Sequence, residues 1–325
     1  VMIRYRDVRA CMIVAFIAFF AMAPIGSTGA AAGKLKVAAA LPGIITDKAW
    51  NQSAYEGLKM IEKQMGAQIA YTERVAQPDQ AEVLSDYARR GFDLIFAHGG
   101  EFDAAGKQVA AKFPKTKFVI DNGTNTGPNL ADLQINHFQV AFLGGFVAGK
   151  MTKTDRIAVV AAEKFKAIED LIAGYSQGAK YANPRVEVFV TFTGDWDNVG
   201  KGKEAALAHI AKGADVVMPI LDHALVGVVD AIKEKNVYGV GYVADQLDLA
   251  PKNILTSVME NMSVAIFRMA KSVDAGKFEG KNNVIGLEAP QVARLGTYNS
   301  IVPQDIRRQV EDVKKLLISK TIVQK

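Results

Sequence analysis

Eight side chains in this sequence have the types and spacing to hold a small molecule, and they form no catalytic set. Asp47, Trp50 and Asn51 fall within five positions of LPGIITDKAWNQSAYEG (41–57), immediately after an apolar run. An aromatic face beside a carboxylate and an amide suits a flat, polar-edged molecule that stacks and takes directional hydrogen bonds. For this loop alone, a core role for Trp50 and a helix-capping role for Asp47 is an alternative. The pattern recurs, however. Asp47, His98, Asp121, Asp222 and Asp245 each close an apolar run, and Trp196 follows another in GDWDNVGKG. Both tryptophans of the chain therefore lie in loops after strand-like runs, one in each half, where a flat ligand fits between them.

Motifs that would signal catalysis fall in the wrong places. Gly174-Tyr-Ser-Gln-Gly178 has the spacing of a nucleophile elbow but sits inside a helical pattern rather than on a strand-to-helix turn. An exported hydrolase would rest on that match alone. The run from Gly239 to Ala244 imitates a dinucleotide fingerprint inside a strand, with no helix opening at its end. His98, His137, His209 and His223 have no metal-ligand spacing, and His209 reads as a solvated helix residue. The sequence calls for no metal and no cofactor.

The elements that must position these residues alternate. Strand-like runs at 34–41, 67–75, 93–98 and 117–121 are separated by helical spacing near 50–65, 78–90 and 103–113. Such alternation means βαβ units and a parallel sheet covered on both faces. After the turn-rich NGTNTGPNL (122–130), 131–138 reads as a strand and 140–151 as a small-residue helix. A second series follows, with strands at 156–162, 186–193, 214–220 and 238–244 and helices near 167–182, 200–212 and 223–235. Two α/β series of similar length imply two similar lobes. The tail adds a run at 254–258, a helix at 261–275, strands near 283–297 and a helix at 303–319. If these are shared between the lobes, the chain crosses the junction several times and forms a hinge that closes on a ligand.

Composition fits this plan. The 325 residues are 50% hydrophobic and 22% charged, enough for two domains with real cores. Arg4, Arg6 and Arg9, then the apolar run 12–23 and small residues to Gly33, have the order of a cleavable secretory leader, expected over 1–32. Cys11 is the only cysteine and precedes the apolar core, so neither a lipid anchor nor a disulfide is expected. Residues 1–32 hold those three arginines and Asp7, so their removal takes the formal net charge from +5 to +3. That small excess gives no argument for nucleic acid.

The segments DKAWNQSAYEG (47–57), FVIDN (118–122), FLGGFVAG (142–149), GDWDNVGKGKEAA (194–206), GYVADQ (241–246) and ILTSVMEN (254–261) resemble the BMP family of ABC-transporter substrate-binding proteins. Characterised members of that family are similar to the purine-nucleoside receptor PnrA. The resemblance covers essentially the whole chain after the leader. It implies an α/β type I periplasmic-binding-protein fold: two Rossmann-like lobes joined by a three-crossover hinge, one lobe at 34–134 plus 244–280, the other at 135–243 plus 281–325. It implies a monomeric periplasmic protein that binds a purine base or nucleoside and delivers it to an ABC permease in the inner membrane. The purine would lie between Trp50 and Trp196, positions where phenylalanine is common, with Asn51 and Asp121 reading the base and Asp245 the ribose. Asp47 would line the same cleft. The family often has a lysine, contacting the sugar, where this chain has Glu260. A carboxylate cannot donate that hydrogen bond, and a buried one beside Asp245 is costly unless protonated or met by a ligand donor. A free base such as adenine is therefore expected ahead of a nucleoside. A sensory receptor on the same fold is the remaining alternative.

Overall fold

Short runs rich in Val, Ile and Ala become strands buried on both faces, as parallel sheets under two helical layers require. The computed structural model describes residues 34–324. The expected leader and Cys11 lie outside the described residues. Among those described, no helix is long and apolar enough to cross a membrane.

In the first series, strands β1 (Lys36–Ala40), β2 (Gln68–Thr72), β3 (Leu94–Ala97), β4 (Lys117–Asp121) and β5 (Leu130–Ile135) alternate with helices α1 (Trp50–Met65), α2 (Gln80–Arg89) and α3 (Asp103–Lys112). Gly66, in the left-handed region at φ 65°, ends α1 by returning its N–H to Glu62 O. Helix α4 (His137–Met151) then leads to β6 (Arg156–Ala161), α5 (Lys166–Ala182), β7 (Glu187–Phe192), α6 (Val199–Ala211), β8 (Val216–Ile220), α7 (Leu225–Lys235), β9 (Tyr238–Val243) and β10 (Ile254–Glu260). The remainder is α8 (Met262–Asp274), β11 (Asn282–Ile285), β12 (Ala293–Leu295) and α9 (Gln304–Ile318).

The strands form two six-stranded sheets, in the orders β11-β5-β4-β3-β1-β2 and β12-β10-β9-β8-β6-β7. Their pairings are parallel except that of β12 with β10. This is the two-lobed, mostly parallel architecture of periplasmic binding proteins. The chain passes between the sheets after β5, after β10 and after β11.

The pairings revise the expected division of the tail. Residues 254–260 pair with β9 in the second sheet, so the second passage comes at Asn261 and not at 244. Strand β11, expected in the second lobe, pairs with β5 in the first sheet. The physical reason is burial. Ile254–Glu260 is almost wholly buried, which suits an interior strand between β9 and β12. The first two passages share a device: Asn136 and Asn261 each accept the N–H three residues on, from Gln139 and Val264, and so start α4 and α8. That cap ends the expected 131–138 strand at Ile135 and starts the helix at His137.

One apolar cluster runs from β1 and α1 through α4 to β6, β10 and α9. Helices α4 and α5 pack backbone to backbone. A Cβ on Gly145 would meet Tyr175 O at 1.9 Å, and one on Gly178 would meet Phe142 O at 2.0 Å. The glycines of GYSQG thus serve helix packing, and Ser176 lies inside α5 rather than on a turn.

Candidate functional site

Parallel sheets gather their loops at the carboxyl ends of the strands, and here those ends meet across the junction. The loop after β1 starts α1, whose first amides need acceptors. Asp47 supplies them. Its Oδ1 accepts from Ala49 N (2.9 Å) and Gln52 N (3.0 Å), and its Oδ2 from Asn51 N and Asn51 Nδ2, both at 2.8 Å. The side chain is 0% exposed, and these four bonds make Asp47 a cap at the start of α1. Asn51 joins the sheets: its Oδ1 accepts from Gly43 N (2.9 Å), and its Nδ2 also donates to Asp222 Oδ2 (3.0 Å), just beyond β8.

Trp50 lies flat on His98, with ring centroids 4.4 Å apart and planes at 16°. His98 Nε2 donates to Trp50 O (3.0 Å), and Nδ1 makes a short contact with Asp121 Oδ2. His98 and Asp121 are completely buried. Burial raises the Asp121 pKa, against the lowering effect of His98. Asp121 Oδ1 has no hydrogen-bond partner among the described residues. Asp222 is held well above the ordinary carboxylate range, first by burial and then by the charges of Asp47, Asp197 and Glu101. An acid with a raised pKa can keep its proton and donate.

On the second sheet, Trp196 is half-buried and tilted against Phe165, with centroids 6.1 Å apart. Its loop is fixed through the backbone: Trp196 O accepts from Ala224 N (3.0 Å), and Asp195 Oδ1 accepts from Asp197 N (3.1 Å) and Asn198 N (3.0 Å). Asp245 stands apart. It is exposed and accepts from Thr297 N (2.8 Å), tying the loop after β9 to the segment after β12.

Glu260 is not left unpaired beside Asp245. Its Oε1 lies 2.7 Å from His137 Nδ1, and its Oε2 accepts from Tyr242 Oη (3.2 Å). His137 Nε2 in turn meets Asn122 Oδ1 at 2.8 Å. Burial works against a charge on His137, but Glu260 outweighs it and the pKa is raised. This network joins residues at the first two passages with the ends of β4 and β9. Close by, Lys48 (φ 62°) and Val243 (φ 69°) line a cavity of about 130 Å³ with Gln52, Ser53 and Asn261. A valine in the left-handed region is strained, and such strain concentrates at functional sites.

The family's sequence profile, described as ABC transporter substrate-binding protein PnrA-like, matches residues 34–325. The chain belongs to the Bmp family. This Bmp protein is 31% identical over 285 residues to the transcriptional activator protein Med of Bacillus subtilis (strain 168), covering 87% of this chain and 89% of the relative. It is 28% identical over 307 residues to basic membrane protein B of Borreliella burgdorferi, covering 89% and 87%. Among solved structures, a transcriptional activator of the comK gene from Bacillus halodurans is similar at TM-score 0.78 and 30% identity, covering 88% of this chain and 99% of that one. An ABC transporter solute-binding protein from Aeropyrum pernix K1 shares the fold at TM-score 0.79 and 22% identity, covering 90% and 94%.

Within this Bmp protein, the roles of His137 and Tyr242 were not legible in sequence, because the passage after β5 brings His137 to Glu260 and the β9–β10 pairing brings Tyr242 there. Asp132 escaped the sequence reading. Burial and the Asp121 charge push this β5 residue up to about 7, and a lone Asp in the apolar run LADLQI was its signal. His209, expected in solvent, is buried and stacked on Phe189 at 5.7 Å, with both ring nitrogens lacking partners among the described residues. The apolar residues around it on α6 and β7 account for its burial.

Proposed function

We propose that this Bmp protein is the periplasmic purine-capturing component of an ABC importer, and that its ligand is a free base such as adenine. The base stacks on Trp50, Trp196 covers it from the second sheet as the lobes close, and the closed complex is passed to the permease. The observation that carries this reading is the free Asp121 Oδ1, a buried acceptor one hydrogen bond away from the ring under Trp50. A buried oxygen without a partner is costly, and a ligand N–H removes the cost. Asp222 faces the same junction from the other sheet and can present a second polar contact. Glu260 is occupied by His137 and Tyr242, which leaves no donor at that position for a sugar and favours a base over a nucleoside.

Calorimetric titration of protein refolded to remove carried-over ligand, using adenine, guanine, hypoxanthine and their nucleosides, tests this. Binding of a base ahead of its nucleoside is expected. Preference for nucleosides would return the site to purine-nucleoside reception, and no binding across the panel would overturn the purine assignment.

A second reading has one observation behind it: the relative that is 31% identical carries the name of a transcriptional activator. In that reading the same cleft senses its ligand for a regulatory partner instead of a permease. Co-purification from cross-linked cells separates the two by which partner, permease or regulator, is retained.

A further inference from the structure

Helix α1 begins with Trp50, a position where a side chain has little of its own helix to lean on. His98 supplies the support through three ties. Its ring underlies the indole, its Nε2 bonds to the carbonyl of the same tryptophan, and its Nδ1 bonds to Asp121. A carbonyl oxygen only accepts, so Nε2 carries a hydrogen. Across the short contact on the other side, one proton lies between Nδ1 and Asp121 Oδ2, and the imidazole is cationic to the extent that the ring holds it. Both ring nitrogens are therefore occupied, and the buried imidazole can neither rotate nor reach a ligand. The charged groups around it are Asp121 from β4 and Glu101, whose carboxyl feels the His98 charge from the turn before α3.

We propose that His98 is a positioning residue: its imidazole, sharing a proton with Asp121, backs one face of Trp50 so that the indole offers a single fixed face to the ligand. The inference rests on the stacking role given to Trp50 above and adds what that role requires. A ring ordered before binding loses no rotamer freedom when the ligand arrives, which strengthens binding without a new contact. An imidazole carrying the shared proton also attracts the indole face through a cation–π interaction. The partner beneath Trp50 is thus built into the protein, and the ligand occupies the other side.

The chain has two tryptophans, so Trp196→Phe leaves Trp50 as the only indole. Indole emission is quenched by a protonated imidazole in contact with it. In that background, His98→Phe and His98→Gln should lengthen the Trp50 excited-state lifetime while the far-ultraviolet circular dichroism stays that of the folded chain. Asp121→Asn keeps the imidazole but removes the shared proton, and should lengthen the lifetime too; it serves if the His98 variants do not fold. With Trp196 in place, His98→Gln should weaken adenine binding about tenfold, and His98→Phe, which restores a flat ring, should recover part of the loss. Lifetimes unchanged across the folded variants would overturn the stack. A changed lifetime with unchanged affinity in a protein that binds adenine would overturn the positioning role. Should the parent protein bind no purine, the purine reading fails by itself, and the lifetimes still decide whether His98 places Trp50.

Discussion

The carboxyl edges of the two sheets are built differently. On the first, Asp47, Asn51, His98 and Asp121 are all 0% exposed, with Asp47 bonded to Asn51, and with His98, stacked on Trp50, bonded to Asp121 and to Trp50 O. On the second, Trp196, half-buried like Trp50, sits in a loop held mainly through its backbone, and Asp245 is exposed. The first edge has the order of a recognition surface formed before the ligand arrives, and the second that of a cover. Preorganisation on one side places the ordering cost in folding rather than in binding.

The most disruptive way to probe the comparison is at the network between the edges. Glu260→Gln breaks the charge pair with a buried His137 and should cost about 3 kcal/mol, read by urea unfolding. It should also change the pH dependence. His137 has a raised pKa in the folded state, so its contribution is fully present below the unfolded value of about 6.5 and lost as pH rises through the folded one. Parent stability should therefore fall over that alkaline-going window, and the variant should show a flatter curve.

A milder intervention compares the two edges directly. Asp47→Ala removes four acceptor contacts at the start of α1 and should cost about 2 kcal/mol. Asp195→Ala, in the Trp196 loop, should cost less, because the amides released there reach water. Equal losses would mean that the second edge is as tightly built as the first.

The smallest effect is expected away from both edges. Burial, followed by the Lys212 charge, lowers the His209 pKa. Its contribution is present above about 6.5 and is lost as pH falls toward the depressed folded value. His209→Phe should reduce the acid-side loss of stability in that window while leaving ligand affinity alone.

The alternation of strands and helices was legible because apolar period and turn residues set it locally. So were the strand-end positions of Asp47, Trp50, His98 and Asp121. The roles were less so. Asp47 at a strand end reads equally as a ligand contact or a cap, and only the positions of the Ala49, Asn51 and Gln52 amides reveal the capping bonds. Placing β10 and β11 needed sheet pairing, a long-range property that no local pattern carries. The His137–Glu260 pair spans more than a hundred residues and exists only because two passages lie side by side.

The most direct test of the account is calorimetric titration of adenine into Trp50→Ala and Trp196→Ala in parallel. A preformed first edge predicts that Trp50→Ala loses more affinity, with Trp196→Ala retaining measurable binding. An equal loss, or a larger one at Trp196, would contradict it and make the second edge the principal binding surface.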